Sequence, residues 1–386
     1  MIINSLLDTD WYKILMGQVV LYQFPDLYVR YKFINRANTW FPEGFDVKLK
    51  EEIRNLATLK LLESEKMWLL NQEGITKYYT DWLSKYSFNP NQVKVKLENK
   101  VLEVEIEGKW KETMYWEVPL LAIISELYYK ETNKILDWDL VNKNIRNKYY
   151  TLEGIKFADF GTRRRFSYDV QKALVSHMVR GTNFIGTSNP SLAMIYNILP
   201  IGTYAHETVM AMSALHGVEL ANKEWLKNWR YIYGNNYNVA LTDTYTTDVF
   251  FKTISQKDML LIDGLRQDSG NPEEIGARMI NKLKEWGIDP RDKKIIFSDN
   301  LNPEKAVRLY NKFKDKINVI FGIGTNLTND CGYSPLNMVI KLDSVLIQDI
   351  STEWYFKPVI KLSDCKGKYT GDKEELSKIL NEVEYV

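Results

Sequence analysis

The sequence predicts an α/β protein built mainly of parallel βα units, with a smaller sheet-containing domain before them. From about Ile155 onward, short apolar runs are each followed by a polar turn containing Gly or Ser and then by a helical pattern. Alternating strands and helices of this kind form parallel sheets. Before that point, residues Asn99 to Trp116 alternate between apolar and acidic side chains, which indicates a hairpin arm with one solvated face.

Seven apolar runs are candidate strands. They are Lys156 to Phe160, Asn183 to Ile185, Val239 to Leu241, Met259 to Ile262, Lys294 to Phe297, Val319 to Phe321, and Asn337 to Leu342. The spacing of Val170, Leu174 and Met178 predicts a helix between two of these runs, and Asn271 followed by Pro272 is typical of a helix start. About seven repeats favour a barrel over an open doubly wound sheet, and a charged helix is expected at the end of the chain.

Length and composition exclude several classes of protein. The 386 residues suffice for one large and one smaller domain. A net charge of +1 gives no sign of a partner such as nucleic acid or a membrane surface. The two cysteines, Cys331 and Cys365, form no CxxC motif, which argues against a disulfide framework or a structural zinc site. The first residues lack a secretory pattern and no apolar stretch approaches the length of a membrane span, so we expect a cytoplasmic protein.

The ends of the predicted strands carry Gly together with Ser, Thr, Asp or Arg. In parallel βα architectures, functional groups gather at the carboxyl ends of strands. The segments are Asp159 to Arg165, Gly186 to Asn189, Gly202 to Glu207, Thr242 to Thr244, Gly264 to Gly270, Ser298 to Asn300, and Gly322 to Asn326. Backbone N–H, hydroxyl and guanidinium groups hold phosphates. The sequence therefore predicts a site for a multiply phosphorylated sugar.

Nine short sequence motifs indicate a resemblance to a known family. LLDTDWYK, WEVPLLAIISE, DFGTRRRFS, FIGTSNPSLA, GTYAHE, GLRQDSGNP, FSDN, FGIGTNLT and KPVIKLSD, in this order, resemble bacterial nicotinate phosphoribosyltransferases over essentially the whole chain. The resemblance implies the irregular α/β barrel of the type II phosphoribosyltransferases with an N-terminal α+β domain. We expect the N-terminal domain over residues 1–131, the catalytic barrel over 132–350 and a C-terminal return segment over 351–386.

The same resemblance implies an activity and its requirements. It is the ATP-dependent synthesis of nicotinate mononucleotide from nicotinate and phosphoribosyl pyrophosphate, in NAD salvage, by a homodimer whose active sites are shared between subunits. Mg²⁺ is expected to enter with ATP and phosphoribosyl pyrophosphate. No tightly bound organic cofactor is expected.

His206 is the candidate phosphoryl acceptor among the three histidines. A single histidine in a helical run is usually structural, but His206 follows Gly-Thr at a predicted strand end, beside Glu207. A neutral imidazole nitrogen is a competent nucleophile near pH 7, and the resemblance implies a transient phosphohistidine at this position. His177, in an apolar helix, and His216, at a helix end before Gly217, are expected to be structural.

Three consecutive arginines, Arg163, Arg164 and Arg165, could form a solvated charge run. Consecutive side chains cannot all point into one pocket, so at most two are functional. The resemblance selects Arg163 for nicotinate binding and leaves the other two for phosphates or the dimer interface. It also implies that Phe160, otherwise a core residue, stacks on the pyridine ring, and that the partner subunit's Tyr12 covers the other face.

Arg266 and Asp268 lie two residues apart, a spacing that places them on one face of a strand; a surface salt bridge is the alternative. The resemblance implies catalytic roles for both, with Arg266 near nicotinate and the ribose phosphate and Asp268 near the ribose hydroxyls or the metal diphosphate. Asp243 and Asp299, at other strand ends, are candidates for contacts with ribose, Mg²⁺ or pyrophosphate, or else for helix N-caps.

The remaining candidates concern phosphate binding and the choice of base. Gly324 and Thr325 are assigned to phosphate, and Asn326 stands where close bacterial relatives often carry Arg. Thr203 and Ser188 are assigned to nicotinate. Amide-using relatives present an Asp where this chain has Ser188, which does not repel a carboxylate. One alternative is a nicotinamide-using phosphoribosyltransferase. The other is a catalytically inactive metabolite-binding barrel, and the presence of all the candidate catalytic residues argues against this second alternative.

Overall fold

The computed structural model describes residues 1–349, 351–365, 369 and 371–385, without the side chain of Tyr385. The helices are α1 (Trp11–Gln23), α2 (Phe45–Leu56), α3 (Glu63–Leu70), α4 (Lys77–Lys85), α5 (Trp110–Thr113), α6 (Glu117–Glu131), α7 (Trp138–Thr151), α8 (Tyr168–Met178), α9 (Pro190–Tyr196), α10 (His206–His216), α11 (Val218–Tyr233), α12 (Thr247–Thr253), α13 (Gln256–Leu260), α14 (Pro272–Glu285), α15 (Pro303–Phe313), α16 (Thr325–Thr328) and α17 (Lys373–Tyr385). The strands are β1 (Tyr28–Asn35), β2 (Val93–Glu98), β3 (Val101–Lys109), β4 (Phe157–Asp159), β5 (Phe184–Thr187), β6 (Val239–Leu241), β7 (Gly264–Gln267), β8 (Lys294–Phe297), β9 (Asn318–Ile323), β10 (Met338–Gln348) and β11 (Trp354–Pro358).

The chain folds into two compact units, each built from two separate segments. The first contains Met1–Gly202 and Ile323–Lys341, and the second contains Thr203–Gly322 and Leu342–Val386. The division into domains at residues 131 and 350 stays a prediction, and residue 350 lies outside the described residues. No helix in the described part of the chain is long and apolar enough to cross a membrane.

In the first unit, strands β1, β3 and β2 form an antiparallel sheet in that order. The predicted alternation is present in β3, where Leu102, Val104 and Ile106 are buried, Glu103 and Glu105 are exposed and Glu107 is half-buried. The predicted arm is too long, however. The strand ends at Lys109 and helical turns continue to Trp116, because the aromatic side chains that follow are all buried and break the two-residue alternation.

Two short parallel strands, β4 and β5, also pair within the first unit. Asp159 at the end of β4 is in register with Thr187 at the end of β5. Helix α8 follows β4, with Ser167 capping its N-terminus and Val170, Leu174 and Met178 buried as predicted.

In the second unit, strands β6, β7, β8 and β9 are parallel neighbours in that order. Leu241, Arg266, Ile296 and Ile320 share one line of register. Helix α14 follows β7 and is capped by Asn271 as predicted. Since parallel strands end at the same edge of a sheet, the residues that follow β6, β7 and β8 lie at one edge. The predicted α/β class with parallel βα units is confirmed.

Three of the strand predictions are wrong in part. The run Met259–Ile262 enters the end of α13, because Ser255 and Asp258 form a capping box that starts a helix there; the strand begins later, at Gly264. The run from Asn337 does lie on a strand, β10, but its partner β11 is antiparallel. Residues Gly202 to Glu207 do not follow a regular strand either: Pro200 makes only an isolated bridge with Thr187.

Candidate functional site

One candidate site in the second unit surrounds His206, the first residue of α10. Its Nδ1 atom lies 3.1 Å from Thr244 Oγ1. Its Nε2 atom lies 3.1 Å from Asp268 Oδ2 and 2.8 Å from Lys361 Nζ. Thr244 follows β6 and Asp268 follows β7, so the parallel strand order brings two of these groups to one edge. The predicted catalytic residues His206 and Asp268 are thus in contact.

The imidazole of His206 is held neutral. Burial lowers the pKa of His206 below its ordinary value, and the positive charge of Lys361 lowers it further, against the opposing effects of Asp243 and Asp268. At pH 7 the ring therefore keeps a nitrogen lone pair, which a nucleophile requires.

Asp268 is fixed in its ionised form. Its Oδ1 atom lies 2.9 Å from Arg266 Nη2 and accepts a hydrogen bond of 2.6 Å from Ser298 Oγ. Burial alone would raise the pKa of Asp268, but the charge of Arg266, the hydrogen bond with His206 and the charge of Lys361 hold that pKa well below its usual range. The Arg266 side chain is 14% exposed, so the pair is not the surface salt bridge that the sequence left open.

Asp243 lies fully buried just after β6. Its Oδ2 atom accepts a hydrogen bond from Ser269 Oγ and lies 3.1 Å from Lys361 Nζ. Its Oδ1 atom lies 3.7 Å from His206 Nε2 and has no hydrogen-bond partner within the described residues. Burial by itself would raise the pKa of Asp243, but Lys361 and His206 lower it overall.

Neither Asp243 nor Asp299 is the N-cap of the helix that follows it. Thr246 caps α12 and Asn302 caps α15, so the helix-cap alternative does not hold for these two residues. Asp299 is half-buried and follows β8, at the same sheet edge as the ends of β6 and β7. The edge therefore presents acidic side chains after three adjacent strands.

A second group of charges lies in the first unit around Arg163. Its Nε atom lies 3.4 Å from Asp10 Oδ2, and its Nη1 atom lies 3.5 Å from Glu117 Oε1. Lys13 Nζ lies 2.7 Å from Glu117 Oε2, and the guanidinium of Arg163 lies 5.8 Å from the centre of the Tyr12 ring. The structure thus brings together Arg163 and Tyr12 of the same chain. The stacking of Tyr12 in a partner's site stays a prediction.

The two carboxylates of this group differ in pKa because they share the cations unequally. Burial raises the pKa of Asp10 to about 6, against the lowering effects of Arg163 and of the Ser188 hydrogen bond. Glu117 is also buried, but Lys13 and Arg163 together lower its pKa. Near neutral pH, Asp10 is therefore the member of the group that exchanges a proton most readily.

Ser188 directly contacts this group. Its Oγ atom lies 2.6 Å from Asp10 Oδ1, and its carbonyl oxygen accepts a 2.6 Å hydrogen bond from the Trp11 backbone N–H. The assignment of Ser188 to nicotinate, as a residue that does not repel a carboxylate, stays a prediction. The carboxylate absent at position 188 is present on Asp10.

Arg165 is a structural residue. Its side chain has no exposed surface, and its Nη1 and Nη2 atoms lie 2.6 and 2.7 Å from the two carboxylate oxygens of Asp8. Asn189 and Gln171 complete this buried network. The sequence allows two interpretations of Arg165, either as part of a solvated charge run or as a contact to phosphate or to a dimer interface. Both interpretations are wrong, because a bidentate, buried ion pair with Asp8 holds Arg165 inside its own unit.

The other predicted residues are placed as follows. Phe160 follows β4, is half-buried, and donates its backbone N–H to Ile323 O at 2.9 Å. A Cβ atom on Gly324 would lie 3.0 Å from the Phe160 carbonyl oxygen, so this close approach suits glycine. Thr325 begins the short helix α16 in the same unit. Thr203 is half-buried and belongs to the second unit.

Besides Lys13, sequence reasoning missed three further residues of these groups: Lys361, Asp10 and Glu117. All three stand inside strings that carry the family resemblance, KPVIKLSD, LLDTDWYK and WEVPLLAIISE. Each is a charged residue next to apolar ones, and a buried charge requires a partner. That signal could have selected them, although it could not have said which partner each would find.

Comparison with known proteins agrees with these observations. Residues 155–385 match the nicotinate phosphoribosyltransferase family model, and residues 7–125 match the model of its N-terminal domain. A nicotinate phosphoribosyltransferase of Desulforapulum autotrophicum is 42% identical over 99% of both chains. One of Chromohalobacter salexigens is 42% identical over 97% of both.

Solved structures show the same fold. The crystal structure of nicotinate phosphoribosyltransferase from Porphyromonas gingivalis has a TM-score of 0.95 and 36% identity, covering 99% of this chain and all of that one. That of a putative nicotinate phosphoribosyltransferase from Saccharomyces cerevisiae has a TM-score of 0.92 and 33% identity, covering all of this chain and 99% of that one. The expected type II phosphoribosyltransferase fold is confirmed, and the chain belongs to the nicotinate phosphoribosyltransferase family.

Proposed function

We propose that this protein joins nicotinate to the phosphoribosyl group of phosphoribosyl pyrophosphate, releases pyrophosphate, and couples the reaction to ATP hydrolysis. The family and the names of its relatives support the overall reaction. The structural observation that carries the proposal is the neutral imidazole of His206, held among Thr244, Asp268 and Lys361. Only ATP coupling needs such a nucleophile, because phosphoribosyl transfer itself does not.

In the coupling step, a nitrogen of His206 attacks the γ-phosphorus of ATP. The bond from that phosphorus to the bridging oxygen breaks, and ADP leaves with the electron pair. Water later attacks the phosphoryl group, which releases inorganic phosphate and restores the free imidazole. Lys361 and Arg266 supply positive charge for the phosphoryl oxygens, and Asp268 orients the ring through its contact with Nε2.

In the transfer step, the bond from ribose C1 to pyrophosphate breaks while the pyridine nitrogen bonds to C1. Positive charge develops on the ribose ring, as in other oxocarbenium-like reactions. The protein has to position the reactants, exclude water and neutralise the leaving group. We assign Asp243 and Asp268 to the ribose side of this reaction, and Asp299, Gly324 and Thr325 to phosphate and pyrophosphate.

The donor set fits Mg²⁺ that arrives with substrate better than a resident ion. His206, Asp243 and Asp268 each offer a ligand atom within 4.8 Å of the others, and carboxylates suit Mg²⁺. The ammonium of Lys361, however, lies 2.8 Å from His206 Nε2 and 3.1 Å from Asp243 Oδ2, so a cationic group already pairs with this set. When bound, Mg²⁺ neutralises pyrophosphate, and the buried Asp243 Oδ1 without a hydrogen-bond partner is the oxygen best suited to hold it.

For the base, we assign the pyridine ring to Phe160 and Tyr12 and the carboxylate side to Arg163, Ser188 and Thr203. Arg163 is 37% exposed and its charge is shared between two buried carboxylates. It therefore keeps exposed donor surface for an anionic ligand.

We further propose that the protein acts in the cytoplasm as a homodimer, with Tyr12 serving the partner's site. Mixing inactive Tyr12→Ala chains with inactive Arg266→Ala chains tests this assembly, because a mixed dimer would contain one intact composite site. Recovery of activity is the expected result, and its absence in isolated mixed dimers would contradict shared sites.

The proposed activity is tested by incubating the protein with nicotinate, phosphoribosyl pyrophosphate, ATP and Mg²⁺ and measuring nicotinate mononucleotide and ADP by liquid chromatography. We expect both products, with ATP hydrolysis stimulated by the other substrates. His206→Ala should abolish the stimulated hydrolysis, and His177→Ala is the matched control that should retain it. The same assay is run with nicotinamide in place of nicotinate. A mononucleotide product formed only from nicotinamide, or from neither base, would overturn the proposal.

A further inference from the structure

The hydrogen bond between Ser188 and Asp10 restricts what Ser188 can offer to a ligand. Ser188 Oγ lies 2.6 Å from Asp10 Oδ1, and both side chains are buried. An ionised carboxylate only accepts hydrogen bonds, and a serine hydroxyl has a single proton. While Asp10 is ionised, the Ser188 hydroxyl donates its proton in a hydrogen bond to Asp10 and presents only lone pairs to a bound molecule.

The two competing bases differ in this respect. The carboxylate of nicotinate only accepts, so it gains nothing from a hydroxyl that has no proton to give. The amide NH₂ of nicotinamide can donate to that hydroxyl. If Asp10 instead carries a proton, its O–H donates to Ser188 Oγ, and the proton of Ser188 becomes available to the carboxylate of nicotinate.

The surroundings of Asp10 keep both states within reach. It is faced by the guanidinium of Arg163, 3.4 Å from Oδ2, by the carboxylate of Glu117, and by the hydroxyls of Thr162 and Ser188. Burial and Glu117 favour the protonated form, whereas the other three groups favour the ionised one, and the resulting pKa is about 6. The nearby Lys13 pairs with Glu117 at 2.7 Å.

We propose that Asp10 is a specificity-determining residue: a proton on Asp10 reverses the Ser188 hydrogen bond and changes the site from one that accepts an amide into one that donates to a carboxylate. The inference rests on the proposed function, because it takes Ser188 to face the base. It has a thermodynamic consequence. Nicotinate binds the protonated form more tightly, so its binding at pH 7 takes up protons.

The first test compares the bases as a function of pH. The kcat/KM for nicotinate and the inhibition constant of nicotinamide as its competitor are measured between about pH 5.5 and about pH 8, a range that brackets the Asp10 midpoint. We expect the preference for nicotinate to fall about tenfold as pH rises, the size of one lost charge-assisted hydrogen bond. A preference independent of pH would overturn the inference.

Asp10→Asn is the informative variant. Because Arg163 can only donate, it orients the amide oxygen of Asn towards itself, and the amide NH₂ then donates to Ser188 Oγ. The variant should therefore show the wild-type preference of low pH at every pH. Persistence of the wild-type pH dependence in this variant would overturn the inference.

Two further measurements separate the hydroxyl relay from plain charge repulsion and from a folding defect. Ser188→Ala keeps Asp10 and should lose most of the pH dependence; full dependence in this variant contradicts the relay. Calorimetry of nicotinate binding to the wild type at pH 7, in two buffers of different ionisation enthalpy, should show proton uptake, and zero uptake contradicts it. If no nicotinate mononucleotide forms at any pH, the proposed function fails; if it forms and these dependences are absent, only this inference fails.

Discussion

Replacing Lys361 by Met should raise the pKa of His206. The Lys361 Nζ atom lies 2.8 Å from His206 Nε2. At this distance two unit charges interact by about 1.5 kcal/mol even with the dielectric constant of water, and about 1.4 kcal/mol corresponds to one pKa unit. Removal of the ammonium therefore raises the pKa of His206, because the charge of Lys361 is one of the two causes that lower it.

The carboxylates that remain act in the same direction. Asp268 Oδ2 lies 3.1 Å and Asp243 Oδ1 lies 3.7 Å from His206 Nε2, and without Lys361 the Oδ2 atom of Asp243 keeps its hydrogen bond from Ser269 but loses its ion pair. In the wild type, the pKa of His206 is below its ordinary value, so the ring is neutral at pH 7. In Lys361→Met, a larger fraction of the rings is protonated at any given pH and lacks the nucleophilic lone pair.

Two assays check this expectation. The chain has three histidines, so the titration of each imidazole carbon resonance can be followed by NMR, with His206→Gln identifying the signal. The titration midpoint of His206 should move to higher pH, and the acid limb of the pH profile of ATP hydrolysis should move to higher pH with it. Lys227→Met is the matched control, since Lys227 is 71% exposed and forms an ion pair with Glu224 on the surface. A His206 midpoint that stays or falls in Lys361→Met would refute the assignment of Lys361.

Three further outcomes are expected. His206→Ala should abolish acid-labile labelling from γ-phosphate-labelled ATP while leaving a slow ATP-independent transfer, and His177→Ala should leave labelling intact; label that persists in folded His206→Ala would require another acceptor. Ser188→Asp places a second carboxylate beside a buried one and should weaken nicotinate use about tenfold or more through like-charge repulsion, which competition between the two bases measures. Asp8→Asn removes the ion-pair partner of the buried Arg165 guanidinium and should lower the free energy of unfolding, measured in urea, by about 3 kcal/mol or more. The control Asp248→Asn breaks an exposed ion pair and should leave the unfolding midpoint nearly unchanged. Equal shifts in the two variants would contradict the argument from burial.

The strands that could be predicted are those whose own residues are apolar. The predicted run Val239–Leu241 coincides with β6, and the predicted run Lys294–Phe297 coincides with β8. Strand β7 was misplaced because its sequence, GLRQ, is polar where it carries the site. Its Gln267 is buried and donates to Ser269 O at 2.7 Å, so tertiary hydrogen bonds replace the apolar signal that sequence reasoning needs.

The candidate site was predictable to the extent that its residues follow strands. Asp243 and Asp268 meet His206 because β6 and β7 are neighbours. Lys361 lies 155 residues after His206, and nothing local in the sequence pairs the two. The proton affinity of Asp10 depends likewise on long-range neighbours, since Ser188 is 178 residues away.

The two-segment construction of the second unit sets an order of events during synthesis on the ribosome. His206 and both carboxylates that flank it belong to Thr203–Gly322, whereas Lys361 belongs to Leu342–Val386. At about 5–20 residues per second, the 155 residues between His206 and Lys361 take roughly 8–30 s to be added. Until Asp268 has been added, at least one of the two acids is missing as well. Between the addition of Asp268 and that of Lys361, the imidazole and both acids are present without the ammonium that helps to lower the pKa of His206. The full set of charged groups around His206 therefore exists only after Lys361 has been added.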